Sequence, residues 1–445
     1  MRQINKIFIL IFSLIFILDI NAQEKMTLSN AISIALHQNT SIVKSFNGLD
    51  TYSASLKNAY GDLLPSFDIN GSWNWNRNSS SITTITDTLG RTRNINQSNS
   101  DQNRSYGLSA GGSVTLFDGL SNFSNISQKK NDLQSAKYDL DKLRQDVILQ
   151  TVNLFVTIVN DEKILKFQEE DLKYNDDLTN KIDEMFKLRM VVNVDVYAQE
   201  YQTSNSKFAY LQAKNNFEKA KIVILTYLSK DVTNDYSFVL DSAYAYTIKN
   251  NVKNLDSLYQ VALNNRRDYQ SQKLKLASAE NGLTIARSGL LPSLSGSYNY
   301  STNSSSPQNL FQSNNYSVGL SLNVPVFSHW STEYSIESAQ VQISNTKEDL
   351  NALERQVKSD VKSALLDFQT ASLQLDVTNS ALKSAKETWE IKRDSYMIGS
   401  ATYIDQQLAY RDYVQASNNN IASQSNFVFK QFGLLSALGQ LETDK

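Results

Sequence analysis

Few side chains in this sequence could carry covalent chemistry. There is no cysteine, which excludes disulfides, thiol nucleophiles and thiolate metal sites. The two histidines, His37 and His329, stand without companion ligands and read as structural residues. Adjacent acids such as Glu169–Glu170 and Asp176–Asp177 have the right type for general acid and base work. They fall inside a long helical pattern, however, and read as solvated helix faces. No phosphate-binding G-x-x-x-x-G-K or zinc-binding H-E-x-x-H occurs. The expectation is no catalysis, no metal and no cofactor. With 43 basic and 45 acidic residues the formal charge is -2, so nothing electrostatic argues for nucleic acid.

The elements around these residues are more informative. Gly (15) and Pro (4) are scarce for 445 residues, and few chain breakers mean long elements. The chain also repeats itself. "LLPSF" at Leu63 returns as "LLPSL" at Leu290, and Leu28, Ile32, Ala35 and Leu36 before it return as Leu255, Tyr259, Ala262 and Leu263. Beyond "LFDGLS" (Leu116–Ser121) and "VFSHWS" (Val326–Ser331) the register holds without a gap. Leu140, Val147, Leu165, Asp195 and Leu228 fall on Leu350, Val357, Leu375, Asp405 and Leu438. Each copy reads helix, strand, polar loop, strand, very long helix, turn, helix.

Four segments alternate with period two, as half-buried strands do. They lie at about 66–76, 105–117, 293–301 and 316–327. One face carries Phe67, Ile69, Trp73, Trp75, Tyr106, Leu108, Val114, Tyr298, Tyr300, Tyr316, Val318 and Leu320. The other is almost uniformly Ser, Asn, Thr and Asp. Such strands suit a membrane barrel with lipid outside and water inside, and their length suits the ~9–11 residues of a tilted spanning strand. Trp73, Trp75, Tyr106, Tyr298, Tyr300 and Tyr316 lie toward the polar-loop end of their strands, where an aromatic girdle would mark the outer interface. The intervening segments Arg77–Arg104 and Ser301–Asn315 read as solvent loops.

Residues 121–187 and 331–397 contain neither proline nor glycine. Each would make a helix of ~100 Å. Leu133, Leu140, Val147 and Leu154 keep a seven-residue spacing, continued out of phase by Ile158, Leu165 and Leu172, which predicts coiled-coil packing. Four strands cannot close a spanning barrel, and an open edge in lipid leaves backbone groups unsatisfied. Several chains must therefore share one barrel: two copies give eight strands and three give twelve. The expected partition is a signal peptide over 1–22, with Arg2 and Lys6 before an apolar run. Repeat one follows over 23–228, with return helix 194–228. A connector spans 229–253, repeat two 254–438 with return helix 404–438, and a tail 439–445. The alternative is a trimeric surface stalk or adhesin, but a stalk needs no return helices.

In this order, and twice over, the opening helix "TLSNAISIALHQNTSI" (Thr27–Ile42), the two "LLPS" joints and the turns "LRMVVNVDV" (Leu188–Val196) and "IGSATYIDQ" (Ile398–Gln406) resemble the TolC-like outer-membrane efflux proteins. The resemblance implies a mainly α protein with a membrane β part. It implies a homotrimer whose twelve-stranded barrel, four strands per chain, continues into an α-helical barrel with a closed periplasmic aperture. The implied partners are outer-membrane lipid, a periplasmic adaptor protein and a proton- or ATP-driven inner-membrane pump. The resemblance also places Asp405 in an anionic ring at the aperture and Tyr396 among the residues that tie it shut. Read without it, Asp405 and its copy-one counterpart Asp195 are helix N-terminal acids, and Tyr396 is a packing residue. Where the family has a restraining arginine and a second acid, this chain has Ala401 and Leu408. Arg189 stands where a glycine is expected, whereas Gly399 is kept, so Arg189 is expected to supply a salt link to an acid at the tip. The turns, with Met190, Val191, Val192, Asn193, Gly399, Ser400, Ala401, Thr402 and Tyr403, would dock the adaptor.

Overall fold

A computed structural model describes residues 24–78, 81–97, 101–240 and 254–441. The expected signal peptide, the connector beyond Leu240 and residues 442–445 lie outside the described residues. The chain divides into two units: one holds residues up to Asn47, Tyr138–Gln270 and Ala352 onward; the other holds Gly48–Lys137 and Ser271–Asn351.

In chain order the elements are β1 (Glu24–Thr27), α1 (Leu28–Gln38), α2 (Thr40–Gly61), β2 (Asp68–Asn78), β3 (Ser81–Thr86), β4 (Thr92–Gln97) and β5 (Asp101–Phe117). Then come α3 (Ser121–Lys187), α4 (Asn193–Tyr227), β6 (Tyr236–Val239), α5 (Leu255–Asn265), α6 (Arg267–Ser288), β7 (Ser293–Ser304), β8 (Asn314–Asn323), α7 (Ser331–Met397) and α8 (Tyr403–Ala437). The long helices α3 and α7 occupy the two stretches free of glycine and proline. Strand β8 stops at Asn323, short of the expected 327, because Pro325 supplies no ladder N–H.

The second unit holds an antiparallel sheet in the order β2-β5-β7-β8. Its register settles where the four apolar stripes go. Ile69 pairs with Ala110, Ala110 with Tyr300 and Tyr300 with Tyr316; Tyr298 pairs with Val318 and Gly296 with Leu320. All four stripes therefore share one face, and that face is open: Trp73 is 62% exposed and Val318 87%. The small polar residues, among them Asn70, Ser109, Ser297 and Ser317, line the other face. Close approach at the joint requires Gly112, where a Cβ would stand 1.9 Å from the Ser66 carbonyl oxygen. The Tyr298 hydroxyl donates to that same oxygen at 2.6 Å. The expected solvent loop Arg77–Arg104 is corrected: it contains the hairpin β3–β4, pairing Thr86 with Thr92. Asp87 turns it by accepting from the Leu89 and Arg91 N–H groups, both at 2.9 Å, and Gly90 takes φ +73°. "SITTIT" supplies the β-branched residues that favour a strand.

In the first unit β1 pairs parallel with β6, a pair the sequence reading did not anticipate, since four-residue strands carry no usable periodicity. Phe155 meets Phe238 edge-on at 5.9 Å, and Leu28, Val152, Ile158, Ile224, Leu225 and Leu228 are fully buried. Ala262, Val357, Val361, Leu434 and Leu438 form a second core. Of the expected heptad line on α3, Leu140, Val147 and Ile158 are buried, while Leu133, Leu154, Leu165 and Leu172 are half-buried.

Candidate functional site

Two helical hairpins, α3–α4 and α7–α8, end in short turns of the same design. After α3 the Arg189 N–H donates to the Phe186 carbonyl at 2.9 Å and Met190 to Met185 at 2.9 Å. After α7 the Gly399 N–H donates to Tyr396 at 3.0 Å and Ser400 to Ser395 at 2.9 Å. These paired bonds are the Schellman stop, which needs a left-handed residue at its hinge. Gly399 supplies it with φ +76°, and Arg189 is forced into it with φ +60°.

The return helices start differently. Thr402 caps α8: its hydroxyl accepts from the Asp405 N–H at 3.2 Å, and the Asp405 carboxylate accepts from the Thr402 N–H at 3.3 Å. This is a complete capping box. Hydrogen bonding from Thr402, its hydroxyl first and its backbone second, holds the Asp405 carboxyl below the ordinary value. At the matching position Val192 offers no side-chain cap, and Asp195 makes only the helical bond from its N–H to the Val192 carbonyl at 3.0 Å. Both acids thus occupy the third helical position, on the positive end of a helix dipole.

Behind the turns Leu178, Ile182, Val196, Tyr396 and Tyr403 form a small core, flanked by Tyr174, Val191 and Ala401. Tyr396 and Tyr403 meet edge-on at 6.0 Å. The Tyr396 hydroxyl is buried with no hydrogen-bond partner among the described residues. Burial, then the charge of Asp195, raises its pKa. A cleft of about 540 Å³ opens here, lined by Met185, Met190, Val191, Asp195, Tyr396 and Tyr403 among others. The turn rims are apolar and exposed: Ile398 is 81% accessible and Met190 67%. Among the described residues Arg189 forms no ion pair.

Sequence reasoning missed a set of buried polar residues above this core. Gln168, Asp171, Asn175, Leu178 and Ile182 on α3 are spaced 3, 4, 3, 4 and are all buried. On α4 the buried residues Val196, Gln199, Ser206 and Ala213 fit the same heptad, as do Tyr403, Gln406, Tyr410, Ser417 and Asn420 on α8. The signal was available as spacing, but not to a search for apolar residues. Gln199 is the hub. Its amide nitrogen donates to the Asn175 backbone carbonyl at 3.2 Å, and its oxygen accepts from the Tyr403 hydroxyl at 2.7 Å and from Gln407 at 2.9 Å. Gln406 donates to the Tyr174 hydroxyl at 2.8 Å, and the Tyr410 hydroxyl donates to Asp171. Burial raises the pKa of Tyr403 and of Tyr410.

The six aromatic residues of the expected girdle share the open face of the sheet. Trp73 pairs with Tyr106, and the Tyr300 and Tyr316 rings lie 4.9 Å apart. Among the described residues there is no cluster able to hold a metal ion, and no helix is long and apolar enough to cross a membrane.

These features define an export-duct class of chain: paired helical hairpins and a sheet that offers lipid one face. The outer membrane efflux protein family matches residues 31–228 and 258–440, and the chain belongs to that family. It is 22% identical over 358 residues to the outer membrane protein TolC of Vibrio cholerae, covering 78% of this chain and 80% of that one. Its fold is similar to that of the Campylobacter jejuni CmeC outer membrane channel, with TM-score 0.78, 19% identity and 94% and 87% of the two chains covered. It is also similar to the open Neisseria gonorrhoeae MtrE outer membrane channel, with TM-score 0.77, 17% identity and 94% and 90% covered. The protein is an outer-membrane efflux channel with its helical part in the periplasm. Its family is one of ducts and not of enzymes. The stalk or adhesin alternative finds no support.

Proposed function

We propose that three copies of this chain close one twelve-stranded barrel in the outer membrane and conduct cargo passively through it. A periplasmic adaptor and an inner-membrane pump would supply cargo and energy. One observation carries this reading. The sheet has an open face dominated by apolar side chains, a polar opposite face and, among the described residues, two outer strands, β2 and β8, each paired on one side only. In lipid every backbone donor and acceptor needs a partner, so β2 of one copy must meet β8 of the next. Twelve strands leave a water-filled lumen, whereas eight are filled by their own side chains. The aromatic face of Trp73, Trp75, Tyr106, Tyr298, Tyr300 and Tyr316 would then anchor the outer interface.

At the periplasmic end, threefold symmetry would gather the tips. Three Asp405 carboxylates would form a ring that favours cations, with Asp195, Tyr396 and Arg189 around it. The left-handed Arg189 forms no ion pair among the described residues, which suits a salt link to a neighbouring copy. The exposed turns, Met190–Asn193 and Gly399–Tyr403, would be the adaptor's docking surface. Detergent-extracted protein should run as a heat-modifiable trimer and give discrete conductance steps in planar bilayers. A monomer without conductance would overturn the reading. If Arg189→Ala leaves conductance and closure unchanged, the salt link is wrong while the duct stands.

A further inference from the structure

The apolar face of the sheet does not end on its aromatic residues. On β2 the alternation runs Trp73, Trp75, Arg77, and on β5 Arg104 comes two residues before Tyr106. Trp75 pairs with Arg104, and Arg77 with Gln102. Paired residues of an antiparallel ladder share a face, so both arginines stand on the face of Trp73, Trp75 and Tyr106. Each lies two residues, or ~7 Å, beyond an aromatic residue of its own strand. In the register they are diagonal neighbours, close enough for two long side chains to reach one point. Both are exposed. Among the described residues neither guanidinium makes an ion pair, a side-chain hydrogen bond or a ring contact. Two like charges side by side repel unless an anion joins them. The pair is also local: from Ser293 to Asn323, which spans β7 and β8, there is neither an acid nor a base.

We propose that Arg77 and Arg104 form a two-guanidinium site for the phosphate of a lipid headgroup in the outer leaflet, with a phosphomonoester preferred. The inference rests on the duct reading for one point, that this face meets lipid. Aromatic rings settle at the headgroup level of a membrane, so a residue one step farther out meets phosphate and not acyl chain. Guanidinium forks bind phosphate oxygens in bidentate pairs. A phosphomonoester carries about 1.5 to 2 negative charges at pH 7, which matches two arginines better than a singly charged diester does. The stems of arginines are apolar and tolerate the acyl boundary. A lipid fits better than free phosphate because the same face continues inward through the exposed Trp73 and Ile69, a surface for acyl chains.

The test titrates the detergent-solubilised trimer with lipids brominated on their acyl chains and reads the quenching of tryptophan fluorescence, since Trp73 and Trp75 adjoin the site. The probes are phosphatidic acid (a phosphomonoester), phosphatidylglycerol (a diester) and phosphatidylcholine. Wild type should bind phosphatidic acid about tenfold more tightly than phosphatidylcholine, with phosphatidylglycerol between them. Arg77→Gln and Arg104→Gln should each weaken phosphatidic acid about tenfold, as loss of one charge-assisted pair does, and leave phosphatidylcholine unchanged. Arg77→Lys keeps the charge without the fork and should recover only part of the affinity. Arg91→Gln combined with Arg93→Gln removes two exposed charges of the β3–β4 hairpin and should change nothing. Trimer yield and conductance should match wild type in every variant. Equal affinities for the three lipids, single variants that keep the wild-type preference, or an Arg91 and Arg93 variant that loses as much would overturn the site and leave the duct intact. So would inorganic phosphate that competes at equal concentration, since the acyl surface would then add nothing. A wild-type protein that gives neither trimer nor conductance would overturn both.

Discussion

Arg189 carries a backbone angle that suits glycine, and its counterpart Gly399 shows what the turn asks for. A side chain in the left-handed region costs roughly 1–2 kcal/mol. Arg189→Gly should therefore raise the stability of the α3–α4 hairpin by about 1 kcal/mol, read as a higher unfolding midpoint, whereas Arg189→Ala should not. The caps make a second contrast. Thr402→Ala should cost α8 about 1 kcal/mol, and Val192→Thr should return a similar amount to α4. Hydrogen exchange at the first turn of each helix would report both. The Asp405 carboxyl sits below its ordinary value, so its contribution is complete above the unfolded carboxylate pKa of ~3.9 and is lost as pH falls through the lower folded value. Asp405→Asn should remove that acid dependence of the α8 start in an NMR titration. At this scale the sequence displayed the acid and the odd arginine. It did not display that Thr402 completes a box and Val192 cannot, because that depends on where the helices begin.

For an element, what matters is which face it turns and to what. The four strands were legible because alternation is local, and each stripe was found without its neighbours. Their common face was not legible: one residue of slip in any pairing would have sent a stripe to the polar side. The register puts Val318 on the apolar face and Ser317 on the polar one. Val318→Arg should cost ~2–4 kcal/mol if it sits near the midplane and lower the yield of heat-stable trimer, while Ser317→Arg should assemble and reduce conductance. The helices teach the opposite lesson. Their length was plain from the absence of breakers, yet the heptads nearest the tips were hidden because Gln, Asn and Asp occupy core positions. The hairpin β3–β4 was hidden by polar composition.

For the whole molecule the decisive fact is that, among the described residues, the sheet ends in two strands each paired on one side only. Since the chain has no cysteine, introduced pairs report only the contact intended. Ile69→Cys on β2, combined with single cysteines stepped along β8 from Tyr316 to Leu322, should yield a covalent trimer at one register and at alternate positions on the same face. Cross-linked dimers alone, or none at any position, would remove the shared barrel.

By itself the sequence determined the two repeats, the four alternating strands and the two uninterrupted helices, since each follows from spacing along the chain. The tertiary structure decided what depends on residues far apart in sequence. It set the common apolar face of the four strands and paired β1 with β6 across about two hundred residues. It also brought Gln199, Tyr403 and Asn175 to one buried point. A residue's own type does not reveal whether its partners will satisfy it; only the packing of three helices around Gln199 makes a buried amide stable there.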